Sequence, residues 1–174
     1  MERITATDPV GPARYGHEFR YHLAAGFIAP TDSVLDAACG TGYGFKILKR
    51  HGMGNAYVGV DRIDLAETEL ADLFYVKADL KTWFPAWGSD VFLGFETIEH
   101  LSDYSNYIDV AHQVNKWIIL STPVVPTVHV NPSHVHDFIP GQLREMFQNE
   151  DWEHYQTVQQ PSELSEIVIL RRRT

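Results

Sequence analysis

Apolar runs of four to six residues alternate with amphipathic stretches along this chain. Ser33 to Ala37 (SVLDA), Ala56 to Val60, Leu73 to Ala78, Val91 to Phe95 and Trp117 to Leu120 are the first five runs. They show no strict polar alternation. Such runs form strands covered on both faces, as in parallel sheets flanked by helices. His154 to Val158 and Glu166 to Leu170 are two further strand candidates. Their connection, around Gln160 to Ser165, is too short for a right-handed helical crossover, so they pair antiparallel.

Helices fill the intervals. One is expected over about Glu18 to Ile28, ahead of the first strand. A second spans Tyr43 to His51, where Lys46, Lys49, Arg50 and His51 precede Gly52 and Gly54, a helix stop. A third is capped by Ser102 or Asp103 and carries Tyr104, Tyr107, Ile108, Ala111 and Val114 at three- and four-residue steps. Pro140 opens a fourth, with Leu143, Met146 and Phe147 on one face. The pattern predicts an α/β protein: a Rossmann-like doubly wound seven-stranded sheet, mostly parallel with an antiparallel last strand and helices on both faces. Residues 1–174 read as one domain.

Composition narrows the partners. Of 174 residues, 44% are hydrophobic and 21% charged, ordinary for a globular domain. No apolar run approaches the roughly 20 residues that span a bilayer. The opening MERITATDPVGPARYG has no apolar core of a secretory signal. Cys39 is the single cysteine, and a cytoplasmic location is expected. The net charge of −9 argues against general capture of nucleic acid. Arg171 to Arg173 is a local exception that reads as the solvated end of a strand.

Ligands of open α/β sheets bind beyond the carboxyl ends of the strands. Asp36, Asp61, Asp79 and Glu96 fall at or just after the ends of the first four. Each alone serves equally well as a cap or turn former; together they describe a site for hydroxyls and amines. In Val34 to Gly44 (VLDAACGTGYG), Gly40 and Gly42 let the backbone turn tightly near a ligand. A dinucleotide fold would present that helix start to a pyrophosphate, which Asp36 would repel. A phosphate-free ligand with a cation, such as S-adenosylmethionine, suits it. Asp61 is placed to accept ribose hydroxyls, Asp79 the adenine amino group, and Ile63 and Leu80 to cover the ring.

VLDAACGTGYG resembles the first motif of the class I S-adenosylmethionine methyltransferases, GVDRID their second, and FETIEHL their acidic segment after the fourth strand. RYHLAAGFI, STP and NPSHVHDF extend the resemblance over most of the chain, toward small methyltransferases found beside polysaccharide-modifying enzymes. Ala38 departs from it, since the family usually has glycine there. The resemblance implies cofactor contacts from Asp36, Ala38, Gly40, Gly42, Tyr43, Asp61, Arg62, Ile63, Asp79, Leu80 and Glu96. The E-x-x-E-H spacing is similar to metal-dependent O-methyltransferases of ubiquinone precursors and of small RNAs. That likeness implies Glu96, Glu99, His100 and His134 as ligands of Mg²⁺ or Mn²⁺; the same spacing also occurs in metal-free members.

Methyl transfer from a sulfonium mainly requires in-line positioning. His100 is the first candidate for the base that takes a hydroxyl proton, and His134 the second. As a metal ligand, His100 is no longer a free base. The acceptor is expected to be a small molecule or a saccharide, through a hydroxyl or an amine. Rival readings are an RNA 2′-O-methyltransferase, a non-catalytic S-adenosylmethionine-binding module and a NAD-dependent oxidoreductase. Trp83, Phe84 and Trp87 read first as core and second as a stacking surface. Pro123 to Pro132, with Tyr15, His17 and Tyr21, are candidates to close over an acceptor. His112 is expected on a helix surface.

Overall fold

A computed structural model of the protein describes residues 12–53, 56–65, 73–160 and 164–174. Seven strands form one sheet: β1 (Ser33–Ala37), β2 (Ala56–Asp61), β3 (Phe74–Lys77), β4 (Val91–Phe95), β5 (Trp117–Pro123), β6 (Trp152–Gln160) and β7 (Ser165–Arg172). Their order is β3-β2-β1-β4-β5-β7-β6. Pairs among β1 to β5 are parallel, whereas β7 is antiparallel to both β5 and β6. The predicted fold class holds.

Successive strand residues feed two cores. Leu35, Phe92, Ile118, Val168 and Leu170 face one side, with Tyr107 and Phe147 packed on them. Val34, Val91, Leu93, Ile119, Ile167 and Ile169 face the other, against Tyr21, Ala24 and Leu48. Each such buried Leu, Ile or Val contributes roughly 1.5–3 kcal/mol relative to exposure. Because both faces are covered, the strands need no alternation. The two edge strands are the exceptions: β3 has no buried residue, and β6 exposes Tyr155 and Gln156 in its middle.

Four α-helices are described: α1 (Pro12–Ala25), α2 (Tyr43–Arg50), α3 (Ser105–Ala111) and α4 (Gln142–Phe147), with a single 3-10 turn at Ile98–His100. The expected stop of α2 is present: Gly52, at φ 73°, donates to Lys49 O, and Met53 donates to Leu48 O. Asp103 accepts from the backbone and hydroxyl of Ser105 at the start of α3.

The structure also corrects several expectations. α1 begins earlier than predicted, and it ends earlier because the chain turns at Gly26 and Phe27, which donate to Leu23 and Ala24 carbonyls. α4 starts not at Pro140 but after Gly141, whose φ of 85° precludes helix at that residue. His112 is half-buried: it caps α3, stacks on Trp152 and contacts the Phe147 carbonyl. Phe84 and Trp87 are exposed and so are not core, while Trp83 is half-buried. Arg171 and Arg173 pair with Glu153, and Arg172 donates to Val114 O. Gly54 and positions 161–163 of the β6–β7 connection, which entered the predictions, lie outside the described residues. No helix among the described residues is long and apolar enough to cross a membrane.

Candidate active site

The turn after β1 is held by its neighbour strand. Ala38 and Cys39 both donate to Val60 O, at 2.8 and 3.1 Å. Ala38, Gly40 and Gly42 have φ of 68°, 56° and 74°, so the chain curls through left-handed conformations before entering α2. Only glycine takes that shape freely. Gly40 N donates to Asp61 Oδ2 at 2.9 Å, and Arg62 N donates to Asp61 Oδ1 at 2.7 Å. Asp61 therefore ties the first turn to the second strand end.

A cleft opens beside this turn. Ala38, Asp61, Arg62, Ala78, Asp79 and Leu80 line one part; Lys81, Thr97, His100 and Leu101 complete it. Asp79 follows β3 and accepts from Lys81 N at 3.0 Å. Asn106 donates to the carbonyls of Leu80 and Trp83, fixing the loop that carries Leu80. Ile63 is half-buried after β2. The expected adenosine-binding residues Asp61, Asp79 and Leu80 thus share one cleft with His100.

Asp36 sits under the glycine turn rather than in that cleft. It is 1% exposed and accepts from the hydroxyls of Tyr21 (2.9 Å) and Tyr57. Its Oδ1 is buried without a partner. Burial outweighs the two tyrosine hydrogen bonds and lifts its pKa to about 7. Tyr43 opens α2; its ring meets the edge of Tyr21 and its hydroxyl lies 3.3 Å from His17 Nδ1. Burial, then the Arg20 cation, pushes His17 down to about 4. Tyr21 is buried and bonded to Asp36, His17 is half-buried beside Tyr43, and Tyr15 is exposed.

Glu96 follows β4 in a left-handed conformation, φ 49°. Its Oε1 accepts from Ser121 Oγ at 2.7 Å and its Oε2 from Ser165 Oγ at 3.2 Å. Arg20 of α1 places Nη2 at 3.3 Å from Glu96 Oε1. Arg20 is fully buried and donates through Nε to Gln160 Oε1 at 3.0 Å; Nη1 has no hydrogen-bond partner, and Nη2 meets Glu96 as an ion pair without a hydrogen bond. The sequence reading passed over Arg20 and Gln160. The available signal was position: Arg20 lies one helical turn before Ala24, on the stripe that packs against the sheet.

Glu99, His100 and His134 converge: one ligand atom from each lies within 4.8 Å of the other two. Glu99 is 1% exposed; Thr122 donates to its Oε2 at 3.0 Å, while Oε1 has no partner. Burial, reinforced by Glu96, holds the Glu99 carboxyl well above the usual carboxylate range. His100 Nδ1 lies 2.9 Å from Ser133 O. A carbonyl only accepts, so Nδ1 carries the proton and Nε2 is free, 4.0 Å from Glu99 Oε1. Burial lowers the pKa of both histidines, so both are neutral at pH 7. Glu96 does not join the trio, its oxygens being engaged by Arg20, Ser121 and Ser165.

The sequence matches a protein family described as "Methyltransferase domain" over residues 13–167. No curated protein matches it significantly. Among solved structures, the chain is similar to the N-methyltransferase NodS of Bradyrhizobium japonicum in complex with S-adenosyl-L-homocysteine, with TM-score 0.69 and 14% identity, covering 97% of this chain and 90% of that one. An S-adenosylmethionine-dependent methyltransferase from Aquifex aeolicus gives TM-score 0.70 and 12% identity, covering 93% and 94%. Another from Archaeoglobus fulgidus gives 0.62 and 15%, covering 93% and 95%.

Proposed function

The chain belongs to the methyltransferase-domain family, and from that premise we propose that it moves the methyl group of S-adenosylmethionine to a hydroxyl of a small-molecule or saccharide acceptor. One observation carries this reading: Asp61 and Asp79, suited to an adenosine, line the same cleft as His100, a neutral imidazole with a free Nε2.

The chain is a class I S-adenosylmethionine-dependent methyltransferase, and the residues present fit that cofactor. Its amino-acid end needs both an anion and a cation receptor. The unpartnered buried Oδ1 of Asp36 and Nη1 of Arg20 are such groups. Burying them unpaired is costly unless a ligand completes them. The adenosine end falls to Asp61, Asp79, Leu80 and Ile63, with Ala38 and Gly40 allowing close backbone approach; Gly42 and Tyr43 lead into α2. Arg62 lies at the cleft mouth. When bound, S-adenosylmethionine supplies an electrophilic methyl on a sulfonium that is its own leaving group.

The protein's share is position and proton removal. The Ser133 carbonyl orients His100 so that Nε2 accepts the acceptor's proton. Neutrality of His100 at pH 7 keeps that lone pair available. His134, edge to face with His100 at 4.6 Å between ring centres, is the second acceptor of a proton.

A metal-assisted reading is favoured by the meeting of Glu99, His100 and His134. Two imidazoles and one carboxylate suit Mn²⁺ better than Mg²⁺, which prefers oxygen ligands. These three residues would hold the ion; it would supply Lewis acidity toward the acceptor oxygen. The negative surface and lack of a basic stripe disfavour RNA as acceptor in either case.

The test is transfer of labelled methyl from S-adenosylmethionine to panels of phenols and saccharides, with and without chelator. We expect label in a hydroxyl acceptor, and His100→Ala to cut turnover at least ~100-fold while leaving cofactor affinity within a few fold. Loss of transfer with chelator and its return with Mn²⁺ selects the metal reading. Cofactor binding with no transfer to either panel, or full turnover in His100→Ala, overturns the assignment.

A further inference from the structure

We propose that Thr127 and Asp137 form a tautomer lock on His134, holding its proton on Nδ1 so that Nε2 stays bare toward His100 and Glu99. The inference rests on His134 belonging to the site, as read above, and it serves both the base and the metal form of that reading. Either role needs an unprotonated Nε2.

The geometry runs along one loop. Asp137 Oδ1 accepts from the backbone N–H groups of Thr127 and Val128 at 2.6 and 2.9 Å. These bonds close the loop after β5 into a ring whose ends are ten residues apart. Inside it, Val130 and Asn131 donate to Thr127 O, and His134 donates its backbone N–H to Asn131 O at 3.0 Å. Val135 N donates to Glu99 O at 2.8 Å, fastening the same loop to the site.

Thr127 Oγ1 lies between two groups. Asp137 Oδ1 is 3.4 Å away and His134 Nδ1 is 2.7 Å away. The hydroxyl has one hydrogen and two lone pairs. An ionised carboxylate takes only hydrogens, so it draws the hydroxyl hydrogen to its own side. Oγ1 then presents a lone pair to Nδ1, which must carry the imidazole proton. Nε2 is left bare. His100 reaches the same state through Ser133 O and lies 4.0 Å through its bare Nε2 from the unpartnered Glu99 Oε1, and one ligand atom of His134 comes within 4.8 Å of a ligand atom of each of them. In water, by contrast, a neutral histidine is free to take either tautomer. Thr127 and Asp137 are accordingly positioning residues.

Long-range ¹H–¹⁵N spectra of histidine-labelled protein, treated with chelator and held at pH 8, read the tautomer directly. The wild-type His134 signal is expected in the Nδ1–H pattern. Thr127→Val should move it toward Nε2–H, Thr127→Ser should restore it, and Asp137→Asn should give an intermediate. His112 is the internal control: its Nε2 lies 2.9 Å from Phe147 O, which fixes the opposite tautomer. An unchanged His112 signal certifies that a variant is folded. Wild-type His134 in the Nε2–H form, or a folded Thr127→Val with the wild-type pattern, overturns the lock. Methyl transfer separates the two claims. A tenfold or larger fall in Thr127→Val that Thr127→Ser repairs supports the positioning role. A shifted tautomer with undiminished transfer overturns that role while leaving the methyltransferase reading standing.

Discussion

Arg20 and Glu96 meet at 3.3 Å, the guanidinium fully buried and the carboxylate partly so. The pair joins α1 to the end of β4 across the first turn. Gln160 holds Arg20 Nε from the far edge of the sheet and donates through Nε2 to Gly16 O. Three distant stretches of sequence are thereby fixed to one cation.

Replacing Arg20 with Lys keeps the charge but cannot serve Glu96 and Gln160 at once. Titration calorimetry with S-adenosylhomocysteine should show at least a tenfold loss of affinity, about 1.4 kcal/mol. Arg20→Ala leaves Glu96 without its cation and should cost about 3 kcal/mol in urea unfolding. Unchanged affinity in Arg20→Lys would remove Arg20 from the cofactor seat.

Asp36 gives the protein a pH signature. The folded carboxyl keeps its proton up to about 7, while an unfolded one releases it near 3.8. Between those values the native state binds more protons than the unfolded state, so stability falls as pH rises and levels off above 7. The full gap bounds the loss at about 4 kcal/mol. Asp36→Asn should therefore unfold at higher denaturant than wild type at pH 8, yet match it near pH 4. Cofactor affinity should run the other way, rising toward pH 8, because the ionised form receives an ammonium. Parallel unfolding curves for the two proteins at both pH values would refute the buried-acid account.

Ala38 pays for its left-handed backbone with a Cβ that glycine lacks. Ala38→Gly relieves a penalty of roughly 1–2 kcal/mol and gives back roughly 0.5–1 in unfolded-chain entropy. A net gain of about 1 kcal/mol in thermal or urea unfolding is expected. Destabilisation would mean that the Ala38 methyl packs more favourably than its conformation costs.

Sequence pattern located the strands well because β1, β4 and β5 are buried on both faces and so read as unbroken apolar runs. It singled out Asp61 and Asp79 by their positions at strand ends and His100 by the E-x-x-E-H spacing, and the structure brings all three to one cleft. Helix starts were less legible. α4 is nucleated by the left-handed Gly141, whose N–H is held by the buried Glu166 at 3.0 Å, a contact between positions 25 residues apart. Asp36 was found by motif, but its companions were not: Tyr21 and Tyr57 come from α1 and β2, and their hydroxyls reach it only once the layers are stacked. Nothing in local spacing marked Arg20 as paired with Glu96 and Gln160. The ion pair and the tyrosine bonds are products of tertiary packing, which local spacing does not record.

The placement of β7 between β5 and β6 has a kinetic consequence. β7 lies one strand in from the edge, so β5 gains its second neighbour, and β6 its only one, when the last strand of the chain arrives. Such non-local closure lengthens the search for the native state relative to hairpin-by-hairpin assembly. Ser165, which steadies Glu96, and Glu166, which anchors α4, ride on that strand. Binding competence should therefore emerge only in the last phase of refolding, after most helical signal has returned.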